Sequence, residues 1–387
     1  MDVGSQHPQK PSDALWLWDV FCQVIDNFGD VGVCWRLAAD LAARGHTVRL
    51  WLDDTQALTW MAPGALQGHW PGISVRAWSD ASHPQVLQAL APAQAWVESF
   101  GCELPSAFVA ARANAVGKTS SPVWINLEYL SAEGFVERCH ALPSPVMSGP
   151  AKGWTKHFFY PGLVPATGGL LRESGLLERR DAFGSAERSA FLQSLGLADC
   201  GEELVSLFCY DGAPVDELLV QLDAQRQPVH LLVTAGKARA QMERALLQAG
   251  DALGRLRVSL LPLLSHTDFD TLLWSCALNF VRGEDSLVRA LWAGRPFVWQ
   301  IYPQDDGAHR PKLAAFLDAL DAPPLVRNLH AQWNGLAPWR SDTALPLGDA
   351  QQWRAWAQAT QQRLAQQTDL TGQLTAFVAE RLAANKL

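Results

Sequence analysis

The stretch that decides the fold is VIDNFGDVGVCWRLA, residues 24–38, where an apolar run ends at Asp26 and Asp30 and is followed by helical spacing. The run at 16–25 is rich in aromatic and β-branched residues, which favours a buried strand. After the turn, apolar residues repeat at helical spacing until Gly45. The stretch therefore predicts a strand, a turn and a helix, with both aspartates at the carboxyl end of the strand, where α/β proteins place their chemistry.

The two aspartates in this turn favour acid–base chemistry over dinucleotide binding. The turn lacks a GxGxxG pattern, and carboxylates there would repel a pyrophosphate. Such a pair suits a general base, or a holder for a cationic or hydroxyl-bearing substrate. The alternative is structural, because Asp30 can cap the helix and Asp26 can close an Asx turn.

Length and charge limit the function classes. The 387 residues exceed the roughly 250 to 300 at which single cores stop growing, so two domains are predicted. The net charge of −8 argues against nucleic-acid binding and mildly favours a basic partner. No apolar run reaches the ~20 residues that span a bilayer, and the first residues are polar, so we expect a cytoplasmic protein without membrane contact. Seven cysteines without a CxxC pair indicate reduced thiols and no zinc site.

Apolar strands alternate with helical stretches in both halves of the chain, which predicts two parallel sheets, each covered by helices on both faces. Between residues 149 and 185 the sequence is rich in Gly, Pro and aromatic residues with few clear periods, and we place the connection at its end. The predicted domains are 1–184 and 185–361, with a C-terminal helix at about 362–387 that packs back on the first. The further predicted strands begin at Thr47, Ile73, Ala95, Val123, Leu204, Val229, Leu256, Leu278 and Pro296.

A second strand–turn–helix–strand pattern covers residues 279–299. Ser286 is the predicted helix cap, and the free amides of the helix start together with Arg282 form a predicted diphosphate seat. Glu284 and Asp285 oppose a phosphate unless their side chains turn away. They can instead bind sugar hydroxyls, or be acids of an ordinary capping turn that the helix dipole favours.

Polar residues recur after the next strand, in YPQDDGAH at 302–309, with Gln304, Asp305 and Asp306. Adjacent strand ends share one crevice in an α/β domain, so these side chains would lie beside the phosphate seat. A solvated loop is the alternative. A DxD pair, Asp268 and Asp270, opens a predicted helix, and we expect both to be capping residues and not metal ligands.

Two doubly wound domains, with an acidic turn on the first and a phosphate seat on the second, describe the GT-B glycosyltransferase architecture, which also serves epimerases and phosphorylases. Four motifs resemble the elongation factor P arginine rhamnosyltransferase family, and the resemblance covers nearly the whole chain. They are DNFGDVGVCWRLA from Asp26, NLEYLSAE from Asn126, TyrProGly at 160–162 and RGEDSLVRALWAG from Arg282.

The resemblance implies inverting transfer of L-rhamnose from dTDP-β-L-rhamnose to an arginine of elongation factor P, without metal or cofactor. It implies Asp30 as the candidate base and Asp26 as its partner. The family commonly has a phenylalanine that stacks on thymine near Leu263, where this chain reads LPLLSH. The donor-side residues that it implies are Phe208, Tyr210, Arg282, Glu284, Asp285 and Ser286, with Gln304 and Asp305 added from the loop; on the acceptor side, Asn126, Glu128 and Tyr129 are candidates that can also simply close their turn.

Other functions stay open at this point. A non-catalytic nucleotide-sugar or protein-binding module would keep the phosphate seat but would not need the two aspartates. A nucleotide-sugar epimerase, or a glycosyltransferase with another acceptor, would share the fold. A nicotinamide dehydrogenase is excluded, because the chain has no glycine fingerprint.

Overall fold

The structure is a computed structural model that describes residues 14–24, 28–116, 121–250, 253–348 and 350–384. Asp26, one of the two predicted acids, lies outside the described residues. Within them the chain forms two β-sheets, the first from strands in the first half and the second from strands in the second half.

The first sheet has the order β3-β2-β1-β4-β5-β7-β6, and only the pairing of β6 with β7 is antiparallel. The predicted strand and helix around the acidic turn are β1 and α1. The strands are β1 Leu17–Cys22, β2 Thr47–Leu52, β3 Ile73–Ala77, β4 Ala95–Ser99, β5 Val123–Leu127, β6 Pro143–Pro145 and β7 Thr155–Phe159, and the α-helices are α1 Gly29–Ala43, α2 Leu58–Met61, α3 Pro84–Ala89, α4 Ser106–Val116 and α5 Phe135–Cys139.

The second sheet is parallel, with the order β10-β9-β8-β11-β12. Its strands are β8 Glu203–Leu207, β9 Val229–Val233, β10 Arg257–Leu260, β11 Leu278–Arg282 and β12 Phe297–Gln300. The helices of this half are α6 Leu176–Asp181, α7 Ser185–Ser194, α8 Val215–Asp223, α9 Lys237–Ala249, α10 His266–Ser275, α11 Gly283–Ala293, α12 His309–Ala319 and α13 Pro324–Trp333, followed by α14 Gln351–Ala365 and α15 Leu370–Ala384.

Each sheet is packed on both faces, which is why its strands are nearly continuous apolar runs. In β1, Val20 packs on one face with the apolar stripe of α1, and Phe21 packs on the other with a cluster rich in tryptophan. Strands β8 and β9 of the second sheet likewise lie between two apolar clusters. The predicted α/β fold with two doubly wound parallel sheets is confirmed.

The structure differs from the prediction between residues 149 and 185. That segment contains β7, which pairs in parallel with β5 and extends the first sheet, although the sequence predicts no strand there. The strand escaped prediction because four of its five residues are only partly buried, so the sequence lacks a strong apolar run there. The added edge strand β6 begins and ends with proline, which a sheet accepts at its edge.

The last helix, α15, lies against α1 and β5 of the first sheet. The one helix predicted at about 362–387 is instead the end of α14 followed by α15, and the division of the chain into 1–184 with 362–387, and 185–361, stays a prediction. In the described parts of the chain, none of the helices combines the length and the apolar character that crossing a membrane requires.

Candidate active site

A cleft of about 290 Å³ lies between the two sheets. In each sheet the strand order reverses next to its first strand, between β1 and β4 and between β8 and β11, and such reversal points form crevices at the carboxyl ends of the strands. The cleft is lined by Gly29, Asp30, Val33, Phe100 and Tyr129 from the first half and by Tyr210, Gly283, Glu284, Asp285, Trp299, Ile301, Tyr302, Gln304 and Lys312 from the second.

Asp30 lies in the first turn of α1 and faces the cleft. Phe28 holds the N-cap position and makes no side-chain cap, so Asp30 is not the N-cap residue. The hydroxyl of Tyr129 donates a hydrogen bond to Oδ2 of Asp30 at 3.2 Å, and the Tyr129 ring stacks on Phe100 at 4.5 Å. Burial, and then the charges of Asp30 and Glu284, raise the pKa of Tyr129, so the phenol keeps its proton and orients the carboxylate.

Helix α11 begins at Gly283, directly after β11, and not after Ser286 as predicted. Ser286 lies in the first turn, where its hydroxyl exchanges hydrogen bonds with the backbone of Arg282. Gly283 has φ +65°, and a Cβ there would lie 2.8 Å from the hydroxyl oxygen of Tyr210. The indole of Trp299 donates to the Gly283 carbonyl at 2.8 Å. The start of this helix therefore needs glycine.

The guanidinium of Arg282 stacks between aromatic rings and does not line the cleft. Its central carbon lies 4.3 Å from the ring centre of Phe208 and 4.6 Å from that of Tyr210, and Nη1 donates to the carbonyl of Cys209 at 3.1 Å. Planar guanidinium groups favour such stacking. In this structure Arg282 holds the aromatic segment after β8 in place beside the start of α11.

Both acids after Gly283 have protein partners. Glu284 accepts hydrogen bonds from Nζ of Lys312 and from the backbone N–H of Leu130, each at 2.8 Å. Asp285 faces Nε of Arg36 at 3.2 Å, and burial raises the pKa of Asp285 in spite of this cation. The negative charges that would oppose a phosphate at the helix start are thus balanced by neighbouring groups.

Of the other predicted residues, one lines this cleft and the rest of those described here lie outside its lining. Gln304 lines it, whereas Asp305 is exposed in the adjacent turn and does not. Nδ2 of Asn126 donates to Glu128 at 2.8 Å, and neither residue lines the cleft. Leu263, in the segment between β10 and α10, is 55% exposed and also lies outside its lining.

The DxD pair separates into two environments. Asp268 exchanges hydrogen bonds with Ser265, the N-cap residue of α10, so its predicted capping role is confirmed. The prediction for Asp270 was wrong, because its carboxylate is buried between the guanidinium groups of Arg36 and Arg289. Among the described residues, no group of three or more His, Cys, Asp or Glu side chains is placed to hold a metal ion.

Comparison with known proteins identifies the family. The family model described as "Elongation-Factor P (EF-P) rhamnosyltransferase EarP" matches residues 18–379. The chain belongs to this rhamnosyltransferase family. It is therefore a glycosyltransferase, and the predicted resemblance is confirmed.

Relatives of this rhamnosyltransferase are similar to it in sequence over most of its length. The protein-arginine rhamnosyltransferase of Pseudomonas putida is 47% identical to this chain, and the alignment covers 82% of this chain and 86% of the relative. The protein-arginine rhamnosyltransferase of Pseudomonas aeruginosa is 43% identical, and the alignment covers 94% of this chain and 99% of the relative. A solved structure that describes EarP-mediated arginine glycosylation of translation elongation factor EF-P matches with a TM-score of 0.62 and 32% identity, covering 94% of this chain and 99% of the other. The fold is GT-B, as predicted.

The structure adds cleft residues to those that the sequence analysis of this rhamnosyltransferase proposed. Phe100, Trp299, Tyr302 and Lys312 line the cleft and were missed. Lys312 lies in α12, the helix that follows the 302–309 loop, so a single lysine soon after that acidic loop was its only signal. The aromatic residues had no signal, because apolar residues at strand ends are read as core.

One buried histidine beneath the cleft is expected to make stability depend on pH. His330 accepts the backbone N–H of Trp299 at 3.1 Å, and burial lowers its pKa from 6.5 to about 4. Between pH 4 and pH 6.5 the folded protein therefore binds fewer protons at His330 than the unfolded chain does. The contribution of His330 to the free energy of unfolding is complete above pH 6.5 and is lost as the pH falls. From pH 7 to pH 5 it should decline by about 2 kcal/mol.

Chemical denaturation of wild type and His330→Gln at both pH values measures this effect. The stability advantage of wild type should be smaller at pH 5 by that amount, while His69→Gln, at an exposed histidine, should show no such change. An advantage that is the same at both pH values would contradict the prediction.

Proposed function

We propose that the protein transfers L-rhamnose from dTDP-β-L-rhamnose to an arginine side chain of elongation factor P, with inversion at the anomeric carbon and without a metal ion or cofactor. The observation that carries the proposal is that one cleft joins Asp30 of the first half to Tyr210, Gly283 and Lys312 of the second. Family membership and the names of the relatives support the sugar and the amino acid.

On this proposal the donor binds to the second half. The N-terminus of α11, with its free amides and positive dipole end, receives the diphosphate. Lys312 supplies a cation that lines the cleft, and Arg282 keeps Tyr210 and Phe208 in place for the nucleoside. Protein cations and amides would then stabilise the negative charge of the leaving dTDP.

The acceptor arginine approaches from the first half. A guanidinium is protonated in water and is a poor nucleophile because its charge is delocalised. The carboxylate of Asp30 would hold the guanidinium, draw its charge away from the attacking nitrogen and accept a proton as the bond to C1 forms. Attack from the face opposite to the departing diphosphate gives inversion. Asp26 stays a proposed partner in the same turn.

Incubation of the purified protein with elongation factor P and dTDP-rhamnose, followed by intact-mass measurement, tests the function. The expected result is a gain of one deoxyhexose on elongation factor P, and fragmentation should place it on an arginine. Isomerisation of dTDP-rhamnose without any acceptor would indicate an epimerase instead. An unmodified acceptor would overturn the proposal.

Removal of the cleft lysine should weaken donor binding. Lys312→Met removes the cation expected to meet the diphosphate, and a charged hydrogen bond of this kind contributes about 1.5–3 kcal/mol, so the affinity for dTDP should fall about tenfold or more. Calorimetric titration with dTDP measures it. Lys152→Met, at an exposed lysine outside the cleft, is the control and should bind as wild type does. Equal affinity of both variants would exclude Lys312 from the phosphate site.

A further inference from the structure

Five charged side chains form a largely buried network that extends from Asp285, in the lining of the cleft, into the protein. Nη1 of Arg36 bonds to Glu173 at 3.0 Å, and its Nη2 bonds to Asp270 at 3.1 Å. Arg289 holds Asp270 with two bonds of 2.8 Å and Glu173 with one of 2.6 Å. Asp285 completes the network on the Nε side of Arg36 at 3.2 Å. Both arginine side chains are almost completely buried, at 4% and 1% exposure.

This network joins the two halves of the protein. Arg36 lies on α1 of the first half, and its partners Asp270 and Asp285 lie on α10 and α11 of the second. Glu173 lies in the chain segment between β7 and α6 and contacts both arginines. The arrangement therefore fixes three helices and one connecting segment relative to one another, and not only one pair of helices.

Two of the three helices that the network joins, α1 and α11, carry the two sides of the candidate site. Arg36 is less than two turns along α1 from Asp30, and Asp285 is in the first turn of α11 next to Gly283. The helices approach closely at Gly32, where a Cβ would lie 3.5 Å from Oδ2 of Asp285. A displacement at Arg36 would therefore reach both helix starts.

The energetics favour a role in geometry. Burial of ionised groups costs several kcal/mol for each, so buried ion pairs contribute little net stability compared with apolar packing. The directions of these contacts do restrict the arrangement of the partners, because Arg36 hydrogen-bonds to Glu173 and Asp270 and forms an ion pair with Asp285 on a third side of its planar group. We propose that Arg36 is a positioning residue, which sets the placement of Asp30 on α1 relative to the donor seat on α11.

This inference rests on the proposed function, because its expected kinetic effect is an effect on arginine rhamnosylation. The residues proposed to bind dTDP all lie in the second half, so nucleotide affinity should not depend on how the halves are placed. The chemical step requires Asp30 to reach a nitrogen that attacks C1, so it should depend strongly on that placement. A misplacement of about 1 Å can cost roughly a hundredfold in rate.

A pair of charge-conserving variants separates positioning from simple stability. Arg36→Lys keeps the positive charge but replaces a planar guanidinium, whose three nitrogens face different carboxylates, with a single nitrogen, so the directions of these contacts are no longer fixed. Arg49→Lys is the matched control, because Arg49 is also buried and holds Asp19 with two bonds of 2.6 Å, entirely within the first sheet. We expect Arg36→Lys to lower kcat at least tenfold, while its dTDP affinity stays within twofold of wild type. Arg49→Lys should keep the wild-type kcat even if its melting temperature is similar to that of Arg36→Lys or lower.

Equal kcat in the two variants would overturn the inference. Should Arg36→Lys fail to fold, the double variant Arg36→Met with Glu173→Gln removes one charge of each sign and takes its place. Should wild type leave elongation factor P unmodified, the proposed function fails and crystal structures of the two variants decide the inference alone. A displacement of α1 relative to α11 in Arg36→Lys and not in Arg49→Lys would then support it, and unchanged helix positions in both would overturn it.

Discussion

Asp30→Asn is expected to lower the rate of arginine rhamnosylation by a hundredfold or more, because a general base contributes about 10² to 10⁴ in rate. The substitution is nearly isosteric, and the hydroxyl of Tyr129 can still donate to the amide oxygen at the position of Oδ2. The local structure should therefore persist while the proton acceptor is lost. The proposed dTDP contacts lie in the second half, so nucleotide affinity should stay within twofold of wild type.

The measurement is the rate of deoxyhexose addition to elongation factor P by intact mass, with dTDP affinity by calorimetry. Asp268→Asn is a matched control, since Asp268 also lies in the first turn of a helix but outside the cleft. It should keep the wild-type rate. If Asp30→Asn retained more than a tenth of that rate, Asp30 would not be the base.

The order of strands and helices could be predicted from sequence because burial on both faces makes each central strand a continuous apolar run. The starts predicted at Thr47, Ile73, Ala95 and Val123 are the starts of β2, β3, β4 and β5. In contrast, β7 and β6 were missed, since β7 is only half-buried and β6 is a three-residue edge strand with two prolines. Peripheral strands depend on pairing with neighbours, which a local pattern does not contain.

The site residues divide in the same way, into those that a local sequence pattern places and those whose surroundings depend on distant parts of the chain. Asp30 and Glu284 could be placed in the cleft from sequence, because each lies in the turn after a predicted strand. Asp270 could not be interpreted correctly, since its partner Arg36 is 234 residues away along the chain. Position in a first turn suggested a cap, whereas the fold supplies two guanidinium groups that make burial of this carboxylate possible. Long-range charge pairing of this kind has no local signal.

Arg282 shows that a sequence motif can predict the kind of site at a helix start without predicting which groups each side chain contacts. A strand end followed by a helix start predicts an anion site, and the arginine there suggested a direct phosphate clamp. The structure instead places its guanidinium between Phe208 and Tyr210, both from the segment after β8. Strands β8 and β11 are neighbours in the sheet, so this contact depends on strand order, which brings together residues more than 70 positions apart.

Gly283→Ala is expected to weaken dTDP binding by about thirtyfold or more. An alanine at φ +65° costs about 1–2 kcal/mol, and its Cβ would lie 2.8 Å from the hydroxyl oxygen of Tyr210, so one of the two must move. Overpacking of this kind adds about 1–3 kcal/mol. Both groups line the cleft at the proposed diphosphate seat, so relief of the clash would displace either the helix amides or the tyrosine.

A second substitution tests whether the clash causes the loss. The ring carbon of Tyr210 that bears the hydroxyl is 3.9 Å from the position that the alanine Cβ would occupy, which is ordinary contact, so Tyr210→Phe removes only the atom that clashes. In the Gly283→Ala background it should improve dTDP affinity to about fivefold to thirtyfold below that of wild type, because the backbone cost of about 1–2 kcal/mol remains. Tyr210→Phe alone measures the contribution of the hydroxyl to binding. If the double variant bound no better than Gly283→Ala, backbone strain at the start of α11 and not contact with Tyr210 would explain why glycine is required there.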